Sequence, residues 1–223
     1  GSCFEPCQFL DPIKTLAGCA ASLFCRTLRP LLHLGRNRAY AKGMGRANDI
    51  MIPAETSWLV DPAAQAVCGA ITAAGFDVFF VGGCVRNAIL DLPDSDVDMS
   101  TNAHPEKVME IAKTAGFRAI PTGIEHGTVT VVVDGNPFEI TTFRRDVATD
   151  GRRAVVAFSD NITDDARRRD FTMNALYATL DGTIVDPLNG MNDLLARRVR
   201  FIEDPDARIK EDYLRILRFF RFS

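Results

Sequence analysis

No stretch of the chain reaches the roughly 18 consecutive apolar residues that a membrane-spanning helix needs, so a membrane partner is not expected. Cysteine is scarce where a fold would use it for cross-links. Of the six, Cys3, Cys7, Cys19 and Cys25 lie in the first 25 residues, and only Cys68 and Cys84 lie in the rest. A disulfide framework would spread its bridges through the fold, so this distribution points to a reducing compartment, the cytoplasm in the first instance. The C-x3-C-x11-C-x5-C spacing of the first four matches no usual zinc-ligand pattern. An excess of basic charge is also missing. Lys and Arg number 26 against 29 Asp and Glu, a net charge of −3, which excludes a uniformly basic nucleic-acid coat. A local basic groove stays open, because phosphate contacts need clustered cations rather than a high total.

One segment lacks acid altogether. Residues 12–48 hold seven basic side chains (Lys14, Arg26, Arg29, Arg36, Arg38, Lys42, Arg46) and no Asp or Glu. Two readings stand for it: an organelle transit peptide, which would make the address mitochondrial or another organelle, or sequence upstream of a start at Met44 or Met51. Residues 1–60 are therefore expected to be a basic leader without a fixed fold, with order beginning near Asp61.

From there the elements alternate. Asp61-Pro62 is a helix start and Gly75 a stop. Asp77 to Val81 reads as a buried strand, Val85 to Leu90 as a short helix, Asp96 to Ser100 as a second strand, and Pro105 to Gly116 as a helix. Thr128 to Val133 and Pro137 to Phe143 flank Asp134-Gly135-Asn136, a hairpin signal. Arg144 to Arg153, with Gly151 as a hinge signal, reads as a polar loop. A second hairpin pairs Ala175–Leu180 with Thr183–Val185, and Asp206 to Phe222 reads as one continuous helix. No internal repeat occurs. The expected class is α+β: a small mixed-sheet domain over 61–186, then the first helices of a helical region over 187–223.

Three constellations carry chemistry. In the first, Gly82 and Gly83 sit between strand and helix, where glycine lets backbone approach a ligand and the helix N-terminus offers free N–H groups to phosphate. Arg86 lies one turn further, within reach of the same phosphates. Asp96 and Asp98, two apart on a strand, would point to one face and repel unless a cation neutralises them. Oxygen ligands so placed suit Mg²⁺, which takes one or two carboxylates plus substrate phosphates.

The stretch VGGCVRNAILDLPDSDVDMSTNAHPEKV resembles the signature of the class II branch of the polymerase β-like nucleotidyltransferases, which contains the CCA-adding enzymes and bacterial poly(A) polymerases. One departure is Asn87, where that family usually has Asp. The resemblance covers residues 77–222 and implies a polymerase β-like head followed by the start of a helical neck. It implies that Asp96 and Asp98 are catalytic and bind Mg²⁺, one ion activating a primer 3′-OH and another steadying the leaving pyrophosphate. It offers Glu139 as a third catalytic carboxylate.

The second constellation, RRDFTMNAL, resembles the family motif that joins metal site to base site. By that resemblance Arg169 contacts the incoming nucleotide, and Asp170 and Asn174 read the ribose 2′-OH. In the third, Asp212 and Arg215 would be i, i+3 neighbours on one helix face. Asp only accepts hydrogen bonds and Arg only donates them, so a fixed pair can satisfy cytosine and adenine while leaving groups unpaired against uracil and guanine. EDYLRILRFFRF resembles the family's amino-acid template for base choice. Arg218 and Arg221 match nucleotide-binding positions there; helix geometry puts Arg221 opposite Asp212, so these two arginines are expected to reach phosphate or brace the helix.

The implied activity is addition of CCA to the 3′ end of tRNA from CTP and ATP. Poly(A) addition by the same machinery is the nearest alternative. Because the family's neck, body and tail follow the head, a chain ending in the first neck helix is also expected to bind NTP weakly and transfer poorly. Transfer to a small molecule such as an aminoglycoside would not need the Asp212/Arg215 pair. Oligomeric state is not legible in the sequence.

Overall fold

The computed structural model describes residues 50–150 and 153–223. Nine strands are found among them: β1 (Val78–Val81), β2 (Asp98–Thr101), β3 (Arg118–Gly123), β4 (Thr128–Val133), β5 (Asn136–Thr142), β6 (Arg144–Asp150), β7 (Arg153–Phe158), β8 (Tyr177–Ala178) and β9 (Ile184–Val185). The helices are α1 (Ser57–Val60), α2 (Pro62–Ala73), α3 (Gly83–Leu90), α4 (Pro105–Thr114), α5 (Ile162–Arg167), α6 (Gly190–Leu195), α7 (Pro205–Glu211) and α8 (Leu214–Phe222). Seven strands form one mixed sheet in the order β3-β4-β5-β2-β1-β8-β9. Strand β2 is antiparallel to β1 and parallel to β5.

The period-2 alternation of the strands sorts the sheet into two faces. Val78 and Phe80 of β1, Met99 of β2, Val129 and Val131 of β4, and Phe138 and Ile140 of β5 point into one core with Val67, Cys68 and Ile71 of α2 and Val108 and Ile111 of α4. The intervening residues, Asp98, Ser100, Glu139 and Thr141, belong to the opposite face, where β2 and β5 pair Asp98 with Glu139 and Ser100 with Thr141. A smaller core of Val81, Ala166, Ala175, Tyr177 and Ile202 closes part of that face under α5. One face is thus a hydrophobic floor, and the other is left polar where β2 and β5 lie side by side.

Local chemistry explains the termini. Asp61 caps α2 by accepting from the Ala63 N–H at 2.9 Å, and Pro62 follows at the first helical position. The turn between β4 and β5 places Asp134 and Gly135 at φ 50° and 84°, the left-handed pair that a tight hairpin requires.

Three expectations are corrected. Order begins before Asp61: Ile52, Trp58 and Leu59 are buried, and Met51 bridges to Thr183. The ring of Trp58 lies 4.6 Å from that of Phe80, so truncating it would cost about 3–5 kcal/mol. These apolar residues are interspersed with Pro53 and Thr56 and carry no helical or strand period. Arg144 to Arg153 does not form a loop throughout: β6 pairs antiparallel with β7 in a separate two-stranded sheet. The hinge assigned to Gly151 lies outside the described residues. Finally, the helix expected over Asp206 to Phe222 is broken. Asp212 is extended (φ −151°, ψ 107°), and its carboxylate accepts from the Leu214 N–H at 3.0 Å. An Asp that captures a nearby backbone N–H ends one helix and starts the next.

Candidate active site

The site lies where β1, β2 and β5 end side by side. Val81 pairs with Asp98, and Asp98 pairs in parallel register with Glu139. Two carboxylates therefore stand on adjacent strands of the polar face, roughly one strand spacing of about 4.8 Å apart along the backbone. Asp96 lies outside β2, in the irregular segment leading into it, so a shared strand does not align it with Asp98. Asp98 is desolvated by its surroundings, and with the charges of Glu139 and Asp96 this raises its pKa above the ordinary carboxylate value; Arg169 pulls the other way. The repulsion expected of this acid set is thus present and only partly relieved by the protein.

Gly82 and Gly83 each answer a specific demand. Gly82 adopts φ 78°, and a Cβ there would lie 3.6 Å from Nη1 of Arg169. A Cβ on Gly83 would come within 2.8 Å of the Ser95 hydroxyl, so the segment carrying Asp96 lies so close against the start of α3 that the Ser95 side chain would have to turn away from any larger residue. Arg86 follows on α3 and donates to Asn87 Oδ1 (3.1 and 2.8 Å) and to Asn174 Oδ1 (2.6 Å). Its pKa is lowered by burial foremost and by Arg218 and Arg221 nearby, with Asp170 opposing. Asn87 spends its amide N–H on the Pro93 carbonyl at 2.8 Å, a bond that an aspartate in its place could not donate.

Arg169 projects from the segment after α5. Its guanidinium donates to Asp165 (2.9 and 3.3 Å), Tyr177 Oη (3.2 Å) and Ser100 Oγ (3.3 Å). Asp165 is fully buried and also binds Arg168 at 2.8 Å and the Tyr177 hydroxyl at 2.9 Å. Asp170 and Asn174 form the next link. Asp170 accepts from Asn174 (3.1 Å), from the Phe171 N–H (2.8 Å) and from Arg218 (2.6 Å). Arg86, Asn174, Asp170 and Arg218 are therefore one connected chain from α3 to α8. Phe222 sits beside it with the guanidiniums of Arg86, Arg218 and Arg221 at 4.8, 5.8 and 5.9 Å from its ring.

Asp212 and Arg215 are joined differently from the expected i, i+3 pair. The backbone carbonyl of Asp212 accepts the Arg215 N–H at 3.1 Å. The Arg215 guanidinium pairs with Glu211 at 2.5 Å and donates to the Arg208 carbonyl at 2.7 Å. The break at Asp212 is the reason, since side chains three apart share a face only on an unbroken helix. Arg218 pairs with Asp170 at 2.6 Å, and Arg221 lies beside Phe222.

Several contributors escaped sequence reasoning. Asp165 could have been found from its spacing, three before Arg168 and four before Arg169. Arg208 is buried, pairs with Glu211 at 2.6 Å and donates to the carbonyls of Arg168 (2.5 Å) and Arg169 (2.7 Å), a nonlocal contact with no local signature. Asp193 is another: it holds Thr172 and Arg200, each at 2.7 Å, beneath the 3-10 turn that carries Asn174.

The donor set at β2 and β5 is hard oxygen and only partly neutralised by Arg169, which fits a divalent cation. Among the described residues no three His, Cys, Asp or Glu side chains gather closely enough to hold one alone, so substrate oxygens would have to complete its shell.

The family described as the poly A polymerase head domain matches residues 78–200, more than half of the chain, and the chain belongs to it. Polymerase β-like nucleotidyltransferases generally use divalent metal. Among its relatives, the chain is 44% identical over 162 residues to the CCA-adding enzyme of Leuconostoc citreum, covering 72% of this chain and 39% of the relative. It is 46% identical over 148 residues to the mitochondrial CCA tRNA nucleotidyltransferase 1 of Danio rerio, covering 66% and 34%. The structure of the Bacillus stearothermophilus CCA-adding enzyme in complex with CTP superposes with a TM-score of 0.64 at 39% identity, over 72% of this chain and 38% of that one. The chain thus spans well under half the length of the relatives it matches. No helix among the described residues is long and apolar enough to cross a membrane.

Proposed function

We propose that this chain carries the catalytic head of an enzyme that adds CCA to the 3′ ends of tRNA from CTP and ATP. The observation that carries the reading is the parallel register of Asp98 and Glu139, facing a glycine turn and a connected Arg86–Asn174–Asp170 chain. The tRNA 3′-OH attacks the α-phosphorus of the NTP; a new phosphorus–oxygen bond forms, and pyrophosphate leaves as the old one breaks. Asp96 and Asp98, assisted by Glu139, would hold Mg²⁺, which when bound activates the hydroxyl and neutralises the departing pyrophosphate.

The chain's own residues do the rest. The start of α3, opened by Gly82 and Gly83, offers N–H groups to the triphosphate, and Arg86 and Arg169 supply fixed positive charge. Asp170 and Asn174 offer an acceptor and an amide to the ribose, so that an NTP gains contacts that a dNTP lacks. Base choice falls to Asp212 and Arg215. Asp212 would accept from the exocyclic amino group of cytosine or adenine, and Arg215, held by Glu211, would donate to the ring nitrogen. Arg218 and Arg221 would reach phosphate or brace α8 rather than read the base.

The test takes the natural full-length protein, tRNA lacking its terminal CCA, and each NTP singly and together. The expected product is C-C-A and no longer. Long A tails without use of CTP would replace this reading with poly(A) addition. Asp98→Ala should abolish transfer of every nucleotide, and Arg215→Ala should relax the choice of base. For location, a reporter fused to residues 1–50 separates a cytoplasmic protein from one addressed to mitochondria or another organelle.

A further inference from the structure

Arg169, the second arginine of the RRD motif, is not held by the residues next to it. Among the described residues the carboxylate that ion-pairs with it is Asp165, four residues earlier on α5 and fully buried. Asp165 divides its oxygens: Oδ1 takes Arg168 at 2.8 Å, and Oδ2 takes Arg169 at 2.9 Å and the Tyr177 hydroxyl at 2.9 Å. The guanidinium of Arg169 is thereby fixed over the Tyr177 ring, 5.4 Å from its centre, with one nitrogen on Ser100 and another toward Gly82. Ser100 is two residues beyond Asp98 on the same face of β2, and Gly82 opens α3. Freed from Asp165, the side chain would have its remaining hydrogen bonds only to two hydroxyls, either of which tolerates rotation.

We propose that Asp165 is a positioning residue for nucleotide transfer: with Tyr177 it locks the Arg169 guanidinium between β2 and the glycine turn. Being fully buried behind Arg169, it would act through that arginine rather than on the substrate itself. A buried carboxylate is suited to this, because two charge-assisted bonds and a hydroxyl fix the guanidinium plane, whereas a solvated partner would leave it to sample rotamers. Tyr177 adds a second constraint from β8, so two elements on different sides agree on one orientation.

This inference rests on the transfer activity proposed above, and the two can fail separately. The experiment measures single-turnover transfer from CTP by the full-length protein, for the parent and for Asp165→Asn, Tyr177→Phe, Arg169→Ala and the double variant Asp165→Asn/Arg169→Ala. Thermal unfolding is followed for each. Asp165→Asn keeps size and one acceptor and loses the charge; it is expected to slow transfer by about tenfold or more. In the Arg169→Ala background the same change should cost less than about twofold. Tyr177→Phe should act in the same direction with a smaller loss, and it decides the matter if Asp165→Asn does not fold. The Arg169 Nε–H resonance, assigned by its loss in Arg169→Ala, should exchange slowly in the parent and fast in Asp165→Asn. Equal losses with and without Arg169, or an Nε–H that stays protected in Asp165→Asn, would overturn the proposal. A parent that transfers no nucleotide overturns the functional reading instead, and the Nε–H measurement still decides whether Asp165 holds Arg169.

Discussion

Gly190→Ala should unfold this protein at a markedly lower temperature, for a reason that lies outside the site. Gly190 opens α6, and a Cβ built on it would lie 2.1 Å from the Thr172 carbonyl oxygen and 2.7 Å from the carbonyl carbon. Real Cβ atoms keep at least 3.0 Å from such neighbours, so one backbone must move by about 1 Å. Neither is free to do so. The N–H groups of Gly190 and Met191 are held by Asp186 at 2.8 and 2.9 Å. Thr172 is held by Asp193 through its hydroxyl at 2.7 Å and donates its N–H to Arg200 at 3.0 Å. Overpacking usually costs 1–3 kcal/mol, and obstruction by backbone on both sides places this case near the top, about 3 kcal/mol. For a domain of this size that lowers Tm by roughly 6–12 °C. Circular dichroism melts of the parent and variant measure it. Gly69→Ala is the control: it lies within α2 with nothing within 4 Å of its Cβ, and it should raise Tm slightly by improving helix propensity. A Gly190→Ala melt within about 2 °C of the parent would refute the packing argument.

Acid should reveal the charge of Asp165. Burial raises its pKa, but Arg169, Arg168 and the Tyr177 hydroxyl outweigh this and bring it down to about 2 from an ordinary 3.8. A depressed carboxylate pKa stabilises the fold above the unfolded value, and that contribution is lost as pH falls through the folded one. Roughly 2 kcal/mol should therefore disappear between about pH 4 and pH 2, and urea midpoints of the parent should show this loss while Asp165→Asn lacks it. Burial likewise pushes the thiols of Cys68 and Cys84 up to about 12 and about 11. Both should resist iodoacetamide at pH 8 in the folded protein and react once it unfolds, as peptide mass spectrometry would show.

Where the chain carried a periodic signal, the fold was legible. The hairpin of β4 and β5, helix α4 and the strand before the glycine turn follow from alternation and turn chemistry within a residue or two. Asp98 and Glu139 were both named from sequence, but their adjacency was not: it comes from β2 and β5 pairing across some forty residues, which no local window contains. The same limit hid Arg208. Asp212 failed differently. Its neighbours Glu211, Leu214 and Arg215 all favour helix, and only its own short carboxylate, reaching the Leu214 N–H, tips the backbone out of it.

Arg208 makes two parts of the molecule answer to each other. Its guanidinium fastens α7 to the backbone carbonyls of Arg168 and Arg169 and pairs with Glu211, which also holds Arg215. These contacts give a route by which a ligand that shifts the Glu211–Arg215 pair would shift the Arg169 backbone, and any such coupling would run equally in reverse. If Arg215 reads the base and Arg169 grips phosphate as proposed, the two are coupled through Arg208, and a substitution that loosens one should be felt in measurements of the other.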